Sequence, residues 1–204
     1  MFRFRLPRAI HLALPALTLA FPIASAQMER QTLSGERVAI YNLAGKLRIE
    51  GGSGSDVVVE ITRGGKDASQ LKVANSVING QQSLRVIYPS DRIVYPELDR
   101  WNRTTLSVAE DGTWGDHEDR GFRGRSRDRV EIRGSGTGLE AFADLRIIIP
   151  RGKRVVVHHA VGDARATKSV NLVEQEWSIA NRNYRFRGVD SKRTEACAFT
   201  ARKN

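Results

Sequence analysis

Lys46-Leu47-Arg48-Ile49-Glu50, then Gly51-Gly52-Ser53-Gly54, then Val57-Val58-Val59-Glu60-Ile61: charged and apolar residues alternate, a glycine-rich break intervenes, and a second apolar run follows. Successive side chains of an extended strand point to opposite faces. A period of two therefore buries Leu47 and Ile49 on one side and leaves Lys46, Arg48 and Glu50 on the other. The glycines reach positive φ without steric cost, as a change of chain direction requires. The stretch predicts two half-buried strands, and an all-β fold if its neighbours read the same way.

They do. Upstream, Val38, Ile40 and Asn42 share one face and Ala39 and Tyr41 the other, with Leu43-Ala44-Gly45 as the turn. Downstream, a polar link from Arg63 to Gln70 precedes a weaker strand with Leu71, Val73 and Val77. Asn79-Gly80 is the strongest hairpin signal of the chain, since both residue types tolerate the left-handed conformation of a type I′ turn. It leads into Leu84, Val86 and Tyr88, where Pro89 ends pairing by withholding an amide donor. Thr104 to Ala109 reads as a strand, Val130 and Ile132 restart the pattern, and Gly134-Ser-Gly-Thr-Gly138 breaks it. Leu145, Ile147 and Ile149 then alternate with Asp144, Arg146 and Ile148, and Pro150 to Lys153 turns the chain into Val155-Val156-Val157.

The N-terminus reads differently. Arg3, Arg5 and Arg8 precede an apolar run from Ala9 to Ile23, followed by Ala24-Ser25-Ala26, the order of a secretory signal peptide. The run is broken by Pro15 and Pro22 and is shorter than the roughly 20 apolar residues of a membrane helix. No stable transmembrane segment is expected after cleavage, and the chain is expected to be exported, to the periplasm or the cell surface. Residues 1–26 are thus the signal, 27–163 the all-β domain and 164–204 an irregular C-terminal tail. Removing 1–26 leaves 178 residues, enough for one domain with a sizeable core.

The net charge of +10 invites a nucleic-acid reading, but its distribution opposes one. Residues 27–163 carry 21 Lys plus Arg against 19 Asp plus Glu, while 164–204 carry 9 against 4. The body is nearly neutral, and an exported protein rarely meets nucleic acid, so no nucleic-acid partner is expected. Cys197 is the single cysteine and cannot form an internal bridge.

Candidate sites concentrate between residues 89 and 129. Glu110 to Asp119 holds five acids, and Arg120 to Arg129 holds five arginines and one acid. Opposed blocks of this kind usually form a solvated or self-paired loop. Asp111 to Asp119 offers four carboxylates on a glycine-bearing stretch, as a hard cation such as calcium would want, but lacks the Asp-x-Asp-x-Asp-Gly spacing. A solvated loop is the expectation there and a cation loop the alternative. Arg120, Arg123, Arg125 and Arg127 are the candidate contacts for an anionic ligand, an envelope glycan or a lipid head group, through guanidinium pairing. Trp101 and Trp114 flank them as candidate stacking partners for sugars, although burial as loop anchors is the commoner use of tryptophan.

His158 and His159 are adjacent on a strand, point to opposite faces and cannot chelate one ion together. No metal site, cofactor or catalytic residue is expected: serine-hydrolase signatures are absent, and Gly134-x-Gly-x-Gly138 lacks the following helix that would hold a phosphate.

The run Asp144-Leu-Arg-Ile-Ile-Ile-Pro150, Arg154-Val-Val-Val157 and Val161-Gly-Asp163, with Tyr41-Asn-Leu-Ala-Gly45 to Val57-Val-Val-Glu-Ile61, resembles the bacterial putative-adhesin family over roughly residues 33–163. These are exported β-repeat proteins of unknown biochemical activity. The resemblance implies a β-helix-like solenoid, and periodicity alone fits a sandwich-like stack of short strands equally. It implies a non-enzymatic cell-envelope or surface protein; the alternative is a periplasmic binding module for the anionic ligands named above. In the family a small residue-Gly-Asp step opens a run of short stacked strands. Here the array is expected at Gly162-Asp163, and the sequence after it loses period-two alternation. Either the coding sequence shifts frame or is truncated near residue 165, or the tail diverges and packs on the body.

Overall fold

The computed structural model describes residues 28–115 and 127–167. The signal segment and most of the tail lie outside these residues. Twelve strands occur among them: β1 Met28–Leu33, β2 Arg37–Ala44, β3 Leu47–Gly52, β4 Val57–Gly64, β5 Lys72–Ile78, β6 Gln81–Ile87, β7 Arg92–Val94, β8 Arg103–Ala109, β9 Arg127–Arg133, β10 Phe142–Pro150, β11 Arg154–Val161 and β12 Ala164–Ala166. One short 3-10 turn, Ala68–Gln70, precedes β5. The expectation of an all-β fold holds. No described helix is long and apolar enough to cross a membrane.

The strands form three sheets. A five-stranded sheet runs β1-β4-β10-β3-β12, a four-stranded sheet β11-β2-β6-β5 and a three-stranded sheet β7-β9-β8. The inward positions of the first two sheets carry the predicted apolar residues: Val38, Ile40, Leu47, Ile49, Val57, Val59, Ile61, Leu145, Ile147, Val155 and Val157 are all buried in one cluster. The hairpin predicted at Asn79-Gly80 forms between β5 and β6, with Ile78 paired to Gln81 and both turn residues at positive φ.

Two strand–turn–strand units stack in parallel. β11, Gly162-Asp163 and β12 lie on β2, Gly45-Lys46 and β3, with Val155 opposite Val38 and Ala164 opposite Leu47. The corners are joined by backbone bonds from Gly45 N–H to the Val161 carbonyl (3.1 Å) and from Leu47 N–H to the Asp163 carbonyl (2.7 Å). Glycine is required at both. Each has positive φ, and a Cβ on Gly162 would overlap the Gly45 carbonyl oxygen, as one on Gly45 would overlap that of Ala143.

This arrangement corrects one reading of the sequence: a short strand, β12, does follow Gly162-Asp163. The alternation around it is too brief to register as a period, because only Ala164 of its three residues is buried. A repeated solenoid is not formed by the described residues; mixed parallel and antiparallel sheets stand in its place.

A buried polar knot ties the two large sheets together. Asn42 on β2 donates through Nδ2 to the Ala143 carbonyl on β10 (2.8 Å). The Tyr88 hydroxyl, just after β6, donates to Asn42 Oδ1 at 2.8 Å and accepts from the Ala44 N–H at 3.3 Å. Burial holds the Tyr88 phenol well above its ordinary pKa. At the position matching Asn42 on the neighbouring strand, His159 places Nε2 3.0 Å from the Gly45 carbonyl.

Candidate functional site

Period-two alternation sends Arg30, Glu60, Arg146, Arg48 and Arg165 to the outer face of the five-stranded sheet. The register then aligns them in one row across all five strands. Arg30 pairs with Glu60, Glu60 with Arg146, Arg146 with Arg48 and Arg48 with Arg165. Signs alternate over the first three positions, and three arginines follow one another over the last three.

Arg146 is compensated from two sides. Its Nη2 lies 2.7 Å from the Glu50 carboxylate and its Nη1 2.8 Å from that of Glu60. These bonds raise the guanidinium pKa further and pull Glu50 below the ordinary carboxylate value. Arg48 and Arg165 are exposed and have no ion-pair partner among the described residues.

Around this row lies an open groove of about 500 Å³, whose walls include Lys46, Arg48, Glu60, Asp144, Arg146, Asp163 and Arg165. Lys46 bonds Glu97 at 2.6 Å, which raises its pKa. Asp144 accepts the Lys46 backbone N–H at 2.7 Å, yet partial burial is the larger influence and shifts its carboxyl upward.

A second open depression, about 370 Å³, separates the four- and three-stranded sheets. Leu43, Val86, Tyr88, Val108 and Val130 line it together with Asp91, Glu110 and Asp128. It sits at the mouth of the β8–β9 hairpin. Among the described residues no group of three or more His, Cys, Asp and Glu side chains is arranged to hold a metal ion.

The residues singled out from the sequence fall into three sets. Arg120, Arg123 and Arg125 lie outside the described residues, as do His117 and the acids from Asp116 to Asp119, while Arg127 opens β9. Trp101 is 85% exposed, whereas Trp114 is 4% exposed and meets the His158 ring edge-on at 5.8 Å. His158 in turn stacks on Tyr41, its neighbour across the β11–β2 ladder, at 4.5 Å. Trp114 is thus a core anchor for the segment after β8, and the two tryptophans have different surroundings.

Asp111 is engaged locally. Its carboxylate accepts from the Thr113 N–H (3.1 Å) and hydroxyl (2.7 Å), and Arg85 donates to its backbone carbonyl at 2.8 Å. Gly134 and Gly138 serve close backbone packing, since a Cβ on either would meet the carbonyl oxygens of Leu98 and Asp99 or of Arg92. Both histidines of β11 are buried. Burial lowers the His159 pKa to about 4, only partly opposed by its bond to Gly45.

The arginine row is not visible in the sequence. Arg48 and Arg146 were each legible as outward residues of an alternating strand, but their adjacency comes from pairing across 98 positions of sequence. Arg165 sits in the segment that lost its periodicity.

No protein-family model matches the chain, and no curated protein matches it. The chain is similar to a crystal structure of a putative cell adhesion protein from Clostridium sporogenes, with 11% identity and a TM-score of 0.35. The likeness covers 75% of this chain and 57% of that one, so the chain spans little more than half of that structure.

Proposed function

We propose that the chain is a non-enzymatic, exported protein of the cell envelope or surface, of the adhesin type its sequence resembles, acting by contact between an exposed sheet face and an envelope component. The observation that carries this reading is the open, charged groove on the outer face of the five-stranded sheet. Its walls are a flat β-surface with side chains aimed at solvent, which suits an extended partner better than an enclosed substrate.

The stacked β2–β3 and β11–β12 units support the finer reading of the fold as β-helix-like, with rungs added in parallel at one end. The resemblance to exported β-repeat proteins and the Arg3-to-Ala26 segment support export. The alternative, a periplasmic module for an anionic glycan or lipid head group, shares the same electrostatics and is favoured by Arg48 and Arg165, which have no ion-pair partner among the described residues.

Fractionation of cells producing the full chain tests the reading. The expected result is a protein shortened at Ala26, recovered outside the cytoplasm and co-sedimenting with isolated envelopes. An unprocessed, cytoplasmic protein overturns it.

A further inference from the structure

We propose that the β12 end of the outer five-stranded face binds a linear anionic glycan, gripped by Arg48 and Arg165 with Arg146 beside them. The inference rests on the reading that this face works by contact with the envelope, and adds the residues and the ligand chemistry.

Like charges directly opposite one another on adjacent strands repel, and sheets normally place opposite charges there. This sheet does so at Arg30, Glu60 and Arg146, and then departs from it at Arg48 and Arg165. Two carboxylates of this face, Glu50 and Glu60, are both bonded to Arg146. Two neighbouring guanidinium groups on strands about 4.8 Å apart therefore face solvent with no direct ion pair among the described residues, although Arg48 still acts at a distance on the already engaged Glu50. Nothing in the packing gains from that arrangement, because both side chains are exposed. A ligand carboxylate or phosphate seated between the two would remove the repulsion, and the planar guanidinium fork matches either group.

The flanking residues choose the shape of the ligand. Two positions before the row on the same face stand Asp144, Lys46 and Asp163, with Lys46 engaged by Glu97, and two positions after it stands Glu50, each about 7 Å away along its strand. The unpaired arginines therefore form a narrow strip, with Asp144 and Asp163 on either side of the already paired Lys46 at one border and Glu50 at the other. A planar anionic membrane would press against those acids, whereas a single extended chain lies along the row and avoids them. The strip runs across the strands, inside the groove of about 500 Å³.

The test uses the processed full chain with three probes: polygalacturonate as a carboxylated glycan, neutral dextran, and phosphatidylglycerol vesicles. Binding to polygalacturonate that weakens with salt is expected, with neither dextran nor vesicles retained. The Arg48→Ser/Arg165→Ser double variant is expected to lose on the order of tenfold in affinity and to show a shallower salt dependence, since two charge-assisted contacts go. Arg48→Lys/Arg165→Lys, which keeps the charge and the fold but not the fork, should fall between. Circular dichroism of each variant must match the parent; Arg165→Glu alone, on the exposed edge, serves if the double variant does not fold.

Equal affinity of parent and serine variant overturns the site, as does failure of the parent to bind polygalacturonate. Vesicle binding without glycan binding assigns the face to lipid and overturns the glycan. If isolated envelopes still retain the serine variant fully, only this inference fails; if they do not retain the parent, the broader reading fails.

Discussion

The two ends of the paired large sheets are built to different rules. At one end lie β1 and β5. β1 carries Glu29 and Arg30, β5 opens with Lys72, and the Asn75 amide donates to the Thr32 carbonyl, joining the two edge strands. At the other end lie β11 and β12, stacked in parallel on the strands beneath. β11 has no charged residue between Arg154 and Val161, and its last six side chains include five buried ones. Charged and polar side chains on an edge discourage foreign strands, whereas a regular apolar edge templates them. The first end is therefore finished by side chains, and the second is held by backbone register and two glycine corners.

Gly162→Ala should give the largest break in this comparison. The added Cβ meets the Gly45 carbonyl at a positive-φ position, so overpacking and left-handed strain combine to about 3 kcal/mol or more, read as a lower denaturation midpoint. Gly80→Ala at the opposite end meets nothing and should lose only about 1 kcal/mol for the strain of the turn. Equal losses would remove the distinction between the ends.

Acid should act on the same end. The folded pKa of His159, about 4, lies below its unfolded value of about 6.5, so the unfolded chain takes up the proton first. Its contribution is complete above pH 6.5 and is lost as pH falls toward 4, by up to about 3 kcal/mol. Melting temperatures from pH 7.5 to 4.5 should fall more steeply for the parent than for His159→Gln; parallel curves would remove His159 as the cause.

Between the ends, Asn42→Ala takes away the bridge from β2 to the Ala143 carbonyl and leaves the Tyr88 hydroxyl only the Ala44 carbonyl, at 3.0 Å, to donate to. A loss of about 2 kcal/mol is expected in urea unfolding. The smallest effect on stability belongs to Val156→Lys on the β11 edge, within about 0.5 kcal/mol of the parent because the residue is only partly buried. Its effect should appear in light scattering instead, as slower association at high concentration. A lysine at the exposed Val77 on the protected β5 edge should change neither.

Faces were legible in the sequence and neighbours were not. Leu47, Ile49, Val57, Val59, Leu145 and Ile147 point inward as their alternation requires, because a period of two is a local property of extended chain. The same pattern is silent about pairing. Gly51-Gly52-Ser53-Gly54 reads as a turn between two strands and does reverse the chain, yet β3 and β4 are not bonded to each other: β10 lies between them, parallel to one and antiparallel to the other. The charged face followed from alternation at Arg48 and Arg146, whereas the row they form with Arg165 depends on two parallel pairings that no local pattern encodes. Trp114 could be read as a sugar platform or an anchor from its loop context, and its contact with His158 depends on how that segment packs over β11.

The insertion of β10 between β3 and β4 also sets a timetable. A chain made from its N-terminus presents Leu47, Ile49, Val57 and Val59 about a hundred residues before the strand that pairs between β3 and β4 exists, and loop closure over such a span is slow. The β1–β4 pair can form early, but the larger sheet is complete only after synthesis has passed Pro150.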